Sequence, residues 1–253
     1  MQVIHAIENW QGIRSNIEPI KSIGFVPTMG NLHLGHASLL AKARAENDIS
    51  VLSIFVNPTQ FNNKADFEKY PKTLEEDLQI AKECGVDYVL VFEKDALYPD
   101  DYQYQVHETN ISTLLEGKFR PGHFTGVLTI VLKLLMLVKA TRAYFGEKDF
   151  QQLVLVQGMV RAFFMDVKII ACPTIRLESG LAFSSRNNRL TKDEFNKAET
   201  FAKLLASKAP LANIIDALEQ AGISVEYLEK WQDRLLAAVT VGEIRLIDNI
   251  SDI

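Results

Sequence analysis

Two of the five histidines in this 253-residue chain stand three apart, His33 and His36, on either side of Gly35 in the stretch MGNLHLGH, Met29 to His36. An apolar run, IGFVPTM, ends there and a helical pattern, HASLLAKARAEN, begins. A strand-to-helix turn presents the unpaired N–H groups of the first helical turn and a partial positive charge, which suit a phosphate. Gly30 and Gly35 remove bulk where a nucleotide must come close to the backbone. His33 and His36 could then donate to phosphoryl oxygens as negative charge builds. The competing reading is a histidine pair that caps a helix or packs on a sheet. Neither the dinucleotide fingerprint G-x-G-x-x-G nor a P-loop is present, so nicotinamide and P-loop chemistry lack their signatures.

Other polar residues stand at similar junctions. Asn57 and Gln60 follow the apolar run VLSIF, and their neutral amides, like that of Gln152, can donate to and accept from a hydroxy acid. Asn57 precedes Pro58, and Asn-Pro is also a turn signal. GEKD, Gly146 to Asp149, follows a strand-like run and opens a helix, so Asp149 could cap that helix and Lys148 could meet an anion or only solvent. FSSR, Phe183 to Arg186, offers hydroxyls and a guanidinium or is a plain linker. RPGHF places Arg120 and His123 beside a turn, with structural and chemical use equally open.

Positioning these residues requires an ordered frame. Short β-branched runs (IGFVPTM, VLSIFV, DYVLVF, AYFG, VKIIACP) alternate with helical stretches (HASLLAKARAEN, LEEDLQIAKECG, VLTIVLKLLMLVKA, FQQLVLVQGMVRAFF). That alternation predicts an α/β fold with a doubly wound parallel sheet, whose ligands lie beyond the carboxyl ends of the strands. The pattern changes after RLESGLAFSSRNNRL to polar helical stretches from Thr191 onward and a strand-like VGEIRLIDN. The expected division is a Rossmann-like domain over 1–174 and a smaller C-terminal α+β domain over 175–253. Thr73 and Glu76 fit a capping box, and the polar segment 62–77 reads as a mobile loop leading into a helix.

Composition limits the partners. With 27 Lys and Arg against 32 Asp and Glu, the net charge of −5 exerts no general pull on nucleic acid or anionic lipid. Cys84 and Cys172 are too few and too separated for a disulfide framework or a zinc site. MQVIHAIENW carries no leader pattern, and Lys133 and Lys139 break the longest apolar run. These features predict a cytoplasmic protein of small-molecule partners, with no nucleic acid and no membrane. Residue types alone reach a phosphate-binding α/β enzyme.

PTMGNLHLGH resembles the His-x-Gly-His signature of the nucleotidyltransferase superfamily, which includes class I aminoacyl-tRNA synthetases. Four further blocks, SIFVNPTQF, RPGHFTGV, FGEKDFQQL and GLAFSSRN, follow in an order and spacing similar to those of the pantoate–β-alanine ligases, and RLIDN matches the family's end. The resemblance implies ATP-dependent ligation of pantoate to β-alanine through a pantoyl adenylate, with Mg2+ accompanying ATP, in a homodimer. It assigns ATP binding to Met29, Gly30, Asn31, Leu32, His33, Leu34, Gly35, His36, Gly146, Glu147, Lys148, Asp149, Ile175, Phe183, Ser184, Ser185 and Arg186. Pantoate and β-alanine fall to Gln60, Gln152 and Asn57. His36 is the implied proton donor, with His33 and Lys148 beside it in catalysis, and which residues meet the metal is left open. Phe183 to Arg186 correspond to the superfamily's Lys-Met-Ser-Lys-Ser loop, expected to meet the triphosphate as the small domain closes. Two departures stand out. Ser179 replaces the carboxylate of the family's Asp-Gly-Leu, and VEYLEKWQDRLLAAVTVGEIRLIDN looks as though an intervening piece were missing. Two other readings compete: a nucleotidyltransferase acting on a phosphate ester, and an ATP sensor without catalysis.

Overall fold

The computed structural model describes residues 1–63 and 67–251. Six parallel strands form one sheet: β1 (Gln2–Ile4), β2 (Ile23–Thr28), β3 (Ile49–Ile54), β4 (Tyr88–Leu90), β5 (Arg142–Gly146) and β6 (Lys168–Cys172), in the order β1-β4-β3-β2-β5-β6. The helices are α1 (Ile7–Ser15), α2 (Leu34–Glu46), α3 (Leu74–Glu83), the single turns α4 (Lys94–Leu97) and α5 (Glu116–Phe119), α6 (His123–Val138) and α7 (Phe150–Ala162). From β2 the chain proceeds outward to β3 on one side, and β5 pairs on β2's other flank. The order reverses there, so the turns leaving β2 and β5 start from adjacent strands at the switch point where such sheets bind ligands.

The strands form because their residues are apolar on both faces: Phe25, Val26, Leu52, Val89 and Ala143 are fully buried. α2 turns Leu39, Leu40 and Ala43 onto the sheet. α6 is apolar on nearly every side and correspondingly buried. Lys133, which interrupts its apolar run, is accommodated by Asp100 at 2.7 Å and the Leu97 carbonyl at 3.0 Å.

Five parallel strands coincide with the five predicted runs. The pattern does not predict β1, three residues long, or α1, which is mostly exposed apart from Trp10. The capping box expected at Thr73 and Glu76 is not formed. Thr73 precedes α3 without capping it, because its hydroxyl turns to Asp77 Oδ1 at 3.3 Å. Of the predicted loop 62–77, residues 64–66 lie outside the described residues.

The chain divides into two compact units, the first holding Met1–Leu32, His36–Gly146 and Gln151–Cys172. The second holds His33–Gly35, Glu147–Phe150 and the residues from Pro173 onward. A single cut at 174/175 does not separate out the two short segments that join the second unit. There α8 (Lys192–Leu205) and α9 (Leu211–Gln220) pack Phe201, Leu205, Ile214 and Leu218 with Ala237, Val239 and Val241 of a three-stranded antiparallel sheet. Its strands are β7 (Ser224–Trp231), β8 (Arg234–Val241) and β9 (Ile244–Ser251). The helical reading fails for Ser224 to Val241, where cross-strand pairing overrides the helix propensity of Leu, Ala, Glu and Lys. In the segment that looked shortened, β7 and β8 pair up to Trp231–Arg234, and β8 and β9 up to Val241–Ile244, each joined by two residues. The capping box of this region is Thr191 with Glu194, at the start of α8.

Candidate active site

In the first unit, the turn after β2 adopts left-handed backbone at Gly30 (φ 80°) and Asn31 (φ 50°). A side chain at Gly30 would meet Asp77 Oδ2 at 2.8 Å and Ile54 at 3.1 Å, so glycine serves both conformation and space. Asp77, 1% exposed, reaches in from α3 and accepts the N–H groups of Asn31 at 2.9 Å and Leu32 at 2.7 Å. Burial pushes its carboxyl pKa up, opposed by those same N–H groups. Gly30 N donates to Thr28 Oγ1 at 3.2 Å. The backbone amides of positions 30, 31 and 32, just before the helix, are therefore spent within the turn.

Beyond β3, the single turn Pro58–Gln60 is organised by Asn57, which is 1% exposed. Asn57 Oδ1 accepts from the Tyr98 hydroxyl at 2.8 Å and the Thr59 hydroxyl at 3.0 Å. Its Nδ2 donates to the Gly126 carbonyl at 3.2 Å and to Gln60 Oε1 at 3.0 Å. Asn57 thus shapes the turn and aims its neighbour. Gln60, half-buried, also donates from Nε2 to Met29 Sδ at 3.1 Å. The consecutive glutamines of α7 divide the labour. Gln151, 3% exposed, accepts from Glu116 N and donates to the Ile111 and Leu114 carbonyls, at 2.8 to 3.0 Å. Gln152 is only partly buried and has no side-chain hydrogen bond among the described residues. A cavity of about 470 Å³ lies against Pro58, Asp77 and Met29, the one candidate residue on its wall.

In the second unit, His33 stands just before α2 and its Nδ1 accepts the Gly35 N–H at 3.1 Å. Burial, then the charge of Lys148, lowers its pKa to about 4, against a smaller opposing effect of Asp149. The ring is neutral at pH 7, and because Nδ1 is an acceptor the proton sits on Nε2. Phe183 stacks on it, centroids 6.2 Å apart. Phe183 N donates to the Ile175 carbonyl at 3.0 Å, and Ser184 Oγ receives the Arg186 N–H at 3.3 Å, so the FSSR segment is a compact turn.

The Glu147–Asp149 turn is gripped from the small sheet. Asn249, 2% exposed, donates from Nδ2 to the carbonyls of Glu147 and Lys148, both at 2.9 Å. Arg234 pairs with Glu147 at 2.8 Å and lies 4.4 Å over the Phe150 ring. Lys148 pairs only loosely with Asp149, at 3.8 Å. Asp248 holds Arg176 with two bonds of 2.6 and 2.9 Å. Within the first unit, the space a side chain at Gly146 would fill is open. Sequence reasoning noted RLIDN only as a matching block and missed Asp77.

The family model described as pantoate–β-alanine ligase matches residues 2–251. The chain belongs to the pantoate–β-alanine ligase family. Curated relatives named pantothenate synthetase include one from Coxiella burnetii, 55% identical over 98% of this chain and 96% of the relative. Another, from Legionella pneumophila, is 54% identical over 98% and 99%. Among solved structures, the pantoate–β-alanine ligase of Francisella tularensis, complexed with β-γ ATP and β-alanine, superposes with a TM-score of 0.96 at 42% identity, covering 100% of this chain and 98% of that one. The pantothenate synthetase of Thermus thermophilus gives 0.89 at 37% identity, covering 100% and 99%. The near-complete coverage agrees with the uninterrupted pairing of β7, β8 and β9 in the ligase.

Proposed function

We propose that this ligase joins pantoate to β-alanine in two steps with the residues named above. In the first step, a pantoate carboxylate oxygen attacks the α-phosphorus of ATP, the bond to the bridging oxygen breaks, and pyrophosphate leaves with its electron pair. In the second, the β-alanine amine attacks the pantoyl carbonyl, the bond to AMP breaks, and the amine loses its proton.

His33 donates Nε2–H to a phosphoryl oxygen, and His36 serves as the proton donor. Lys148 supplies a fixed positive charge to the phosphates as charge builds on them. Gly146 leaves room for the nucleoside, Asp149 takes the ribose, and Ser184, Ser185 and Arg186 meet the triphosphate. Gln60 and Gln152 hold the hydroxyl and carboxylate of pantoate, while Asn57 acts through Gln60. Magnesium belongs to this reading as the ion accompanying the ATP substrate, since Mg2+ commonly binds through substrate phosphates and water. Among the described residues, no three His, Cys, Asp or Glu side chains group to hold a metal, and no helix is long and apolar enough to cross a membrane. A cytoplasmic setting, as the composition suggests, and a homodimer, as the family resemblance implies, complete the proposal.

The observation that carries the chemistry is the state of His33: neutral, with Nδ1 accepting the Gly35 N–H so that the ring proton is on Nε2. The purified protein should exchange labelled pyrophosphate into ATP when pantoate and Mg2+ are present, without β-alanine. With β-alanine it should release AMP and pantothenate in equal amounts, and His36→Ala should lose both. Pantothenate formation without pantoate-dependent exchange would count against the adenylate route.

A further inference from the structure

Arg120 and His123 belong to none of the roles above, yet they converge on the backbone of Gln60. His123 Nδ1 lies 2.8 Å from the Gln60 carbonyl oxygen and Arg120 Nη2 donates to the same oxygen at 3.3 Å. Arg120 Nη1 sits 3.2 Å from His123 Nε2. A guanidinium has donors only, so His123 Nε2 must accept. In the neutral ring the proton is then on Nδ1, where it is donated to Gln60. Arg120 thus selects the tautomer that His123 needs.

The brace is anchored behind as well as in front. Glu116, 6% exposed, places its carboxylate 3.5 Å from Arg120 Nη1, and its own N–H is taken by Gln151. His123 is 7% exposed and opens α6. One turn along α6, a side chain at Gly126 would lie 2.4 Å from the Thr59 carbonyl oxygen and 2.8 Å from Gln60 N, so helix and turn approach with no slack. The side-chain end of Gln60 is held separately, by Asn57 and Met29.

We propose that Arg120 and His123 are positioning residues for pantoate recognition: the Arg120-fixed Nδ1–H tautomer of His123 pins the Gln60 carbonyl and so fixes where the Gln60 amide points. The proposal rests on the reading that Gln60 binds pantoate. Its mark is a selective loss of pantoate affinity that depends on a donor at the Nδ1 position and not on bulk.

Asparagine and glutamine at position 123 separate these possibilities. The amide nitrogen of His123→Asn falls near Nδ1, whereas that of His123→Gln extends one bond further. Steady-state kinetics should give a pantoate KM raised roughly tenfold or more in His123→Gln and His123→Ala, the scale of one lost buried hydrogen bond. His123→Asn should recover most of that loss. The KM for ATP should stay within about twofold in all three, since this brace serves one substrate. Arg120→Lys, which keeps the charge without the planar fork, should behave like His123→Gln. If His123→Asn is no better than His123→Gln, or if the ATP and pantoate constants rise together, the brace is only packing and the proposal is overturned. Gln60→Ala is run alongside. An unchanged pantoate KM in that variant overturns the substrate reading of Gln60 itself, while a raised one beside unaffected His123 variants overturns only the brace.

Discussion

The turn after β2 is held through its N–H groups by one buried carboxylate, whereas the turn after β5 is held through its carbonyls by a buried amide. Asp77 takes the amides of Asn31 and Leu32, and Asn249 gives its two amide protons to Glu147 and Lys148. The difference lies in what each clamp leaves exposed. The first consumes backbone donors of the turn itself. The second consumes acceptors and, with Arg234 neutralising Glu147, leaves Lys148 as the uncompensated charge apart from a loose contact with Asp149. Of the two candidate side chains nearby, His33 is a neutral donor and Lys148 the positive charge.

Breaking the first clamp should have the largest effect. Asp77→Ala leaves two N–H groups, one belonging to 7%-exposed Asn31, without acceptors in a turn already held at positive φ. At roughly 1–3 kcal/mol for each unsatisfied buried group, the expected loss in urea unfolding is about 3 kcal/mol. Activity should fall with it, because the backbone leading into His33 loses its fixed course. Asp77→Asn keeps an acceptor oxygen and should lose about half as much. A destabilisation under about 0.5 kcal/mol in Asp77→Ala would mean that the turn does not depend on this clamp.

The charge state of His33 gives the next effect, and it has a definite sign. Its pKa is lowered from 6.5 to about 4, so between those values the unfolded chain binds the proton and the folded one does not. Stability should therefore be full above pH 6.5 and decline as pH falls toward 4. The His33 contribution lost between pH 7 and pH 5 is at most about 2 kcal/mol. His33→Gln should flatten that part of the slope in urea titrations at the two pH values. An imidazole midpoint near 6.5 by NMR would remove both the slope and the neutral-donor argument.

Breaking the second clamp should cost less stability and act more selectively. Asn249→Ala strips a donor from two carbonyls, which tolerate partial satisfaction better than N–H groups do. The expected destabilisation is about 1–2 kcal/mol, with the KM for ATP raised more than that for pantoate. Equal rises in the two constants would erase the contrast between the clamps.

Much of this arrangement was legible in the sequence, for reasons that differ by region. The parallel strands announce themselves because burial on both faces demands uninterrupted apolar runs such as VLSIF and IGFV. The candidate residues stand out because glycines, histidines and amides at strand ends have few structural excuses. The clamps did not stand out, since Asp77 sits in an acidic helix start, LEED, that reads as ordinary solvated charge. Its burial follows from the course of the turn after β2, which no local pattern carries. β7 and β8 were missed for a related reason: YLEKW and RLLAAV have helical composition, and only pairing with each other, and of β8 with β9, makes them strands. His123 could be placed beside a turn, but its tautomer required Arg120 and Gln60 to be seen together.

The smallest effect is expected at the departure from the family pattern. Ser179 stands where the resemblance leads one to expect a carboxylate, and among the described residues its buried Oγ finds no hydrogen-bond partner. A hydroxyl that is desolvated without a partner carries a cost that removal relieves. Ser179→Ala should therefore leave stability unchanged within about 0.5 kcal/mol, or raise it slightly. Ser179→Asp places a charge in the same enclosed position and should lower stability unless a cation moves to meet it. Arg176 is already held by Asp248 through two short bonds and would have to abandon one of them. Urea midpoints of the two variants thus test whether this turn has given up the carboxylate's task. A stabilising Ser179→Asp would show that the neighbourhood still holds a place for the charge, and that the second unit's polar clamps extend further toward the FSSR turn than Asn249 and Arg234 alone.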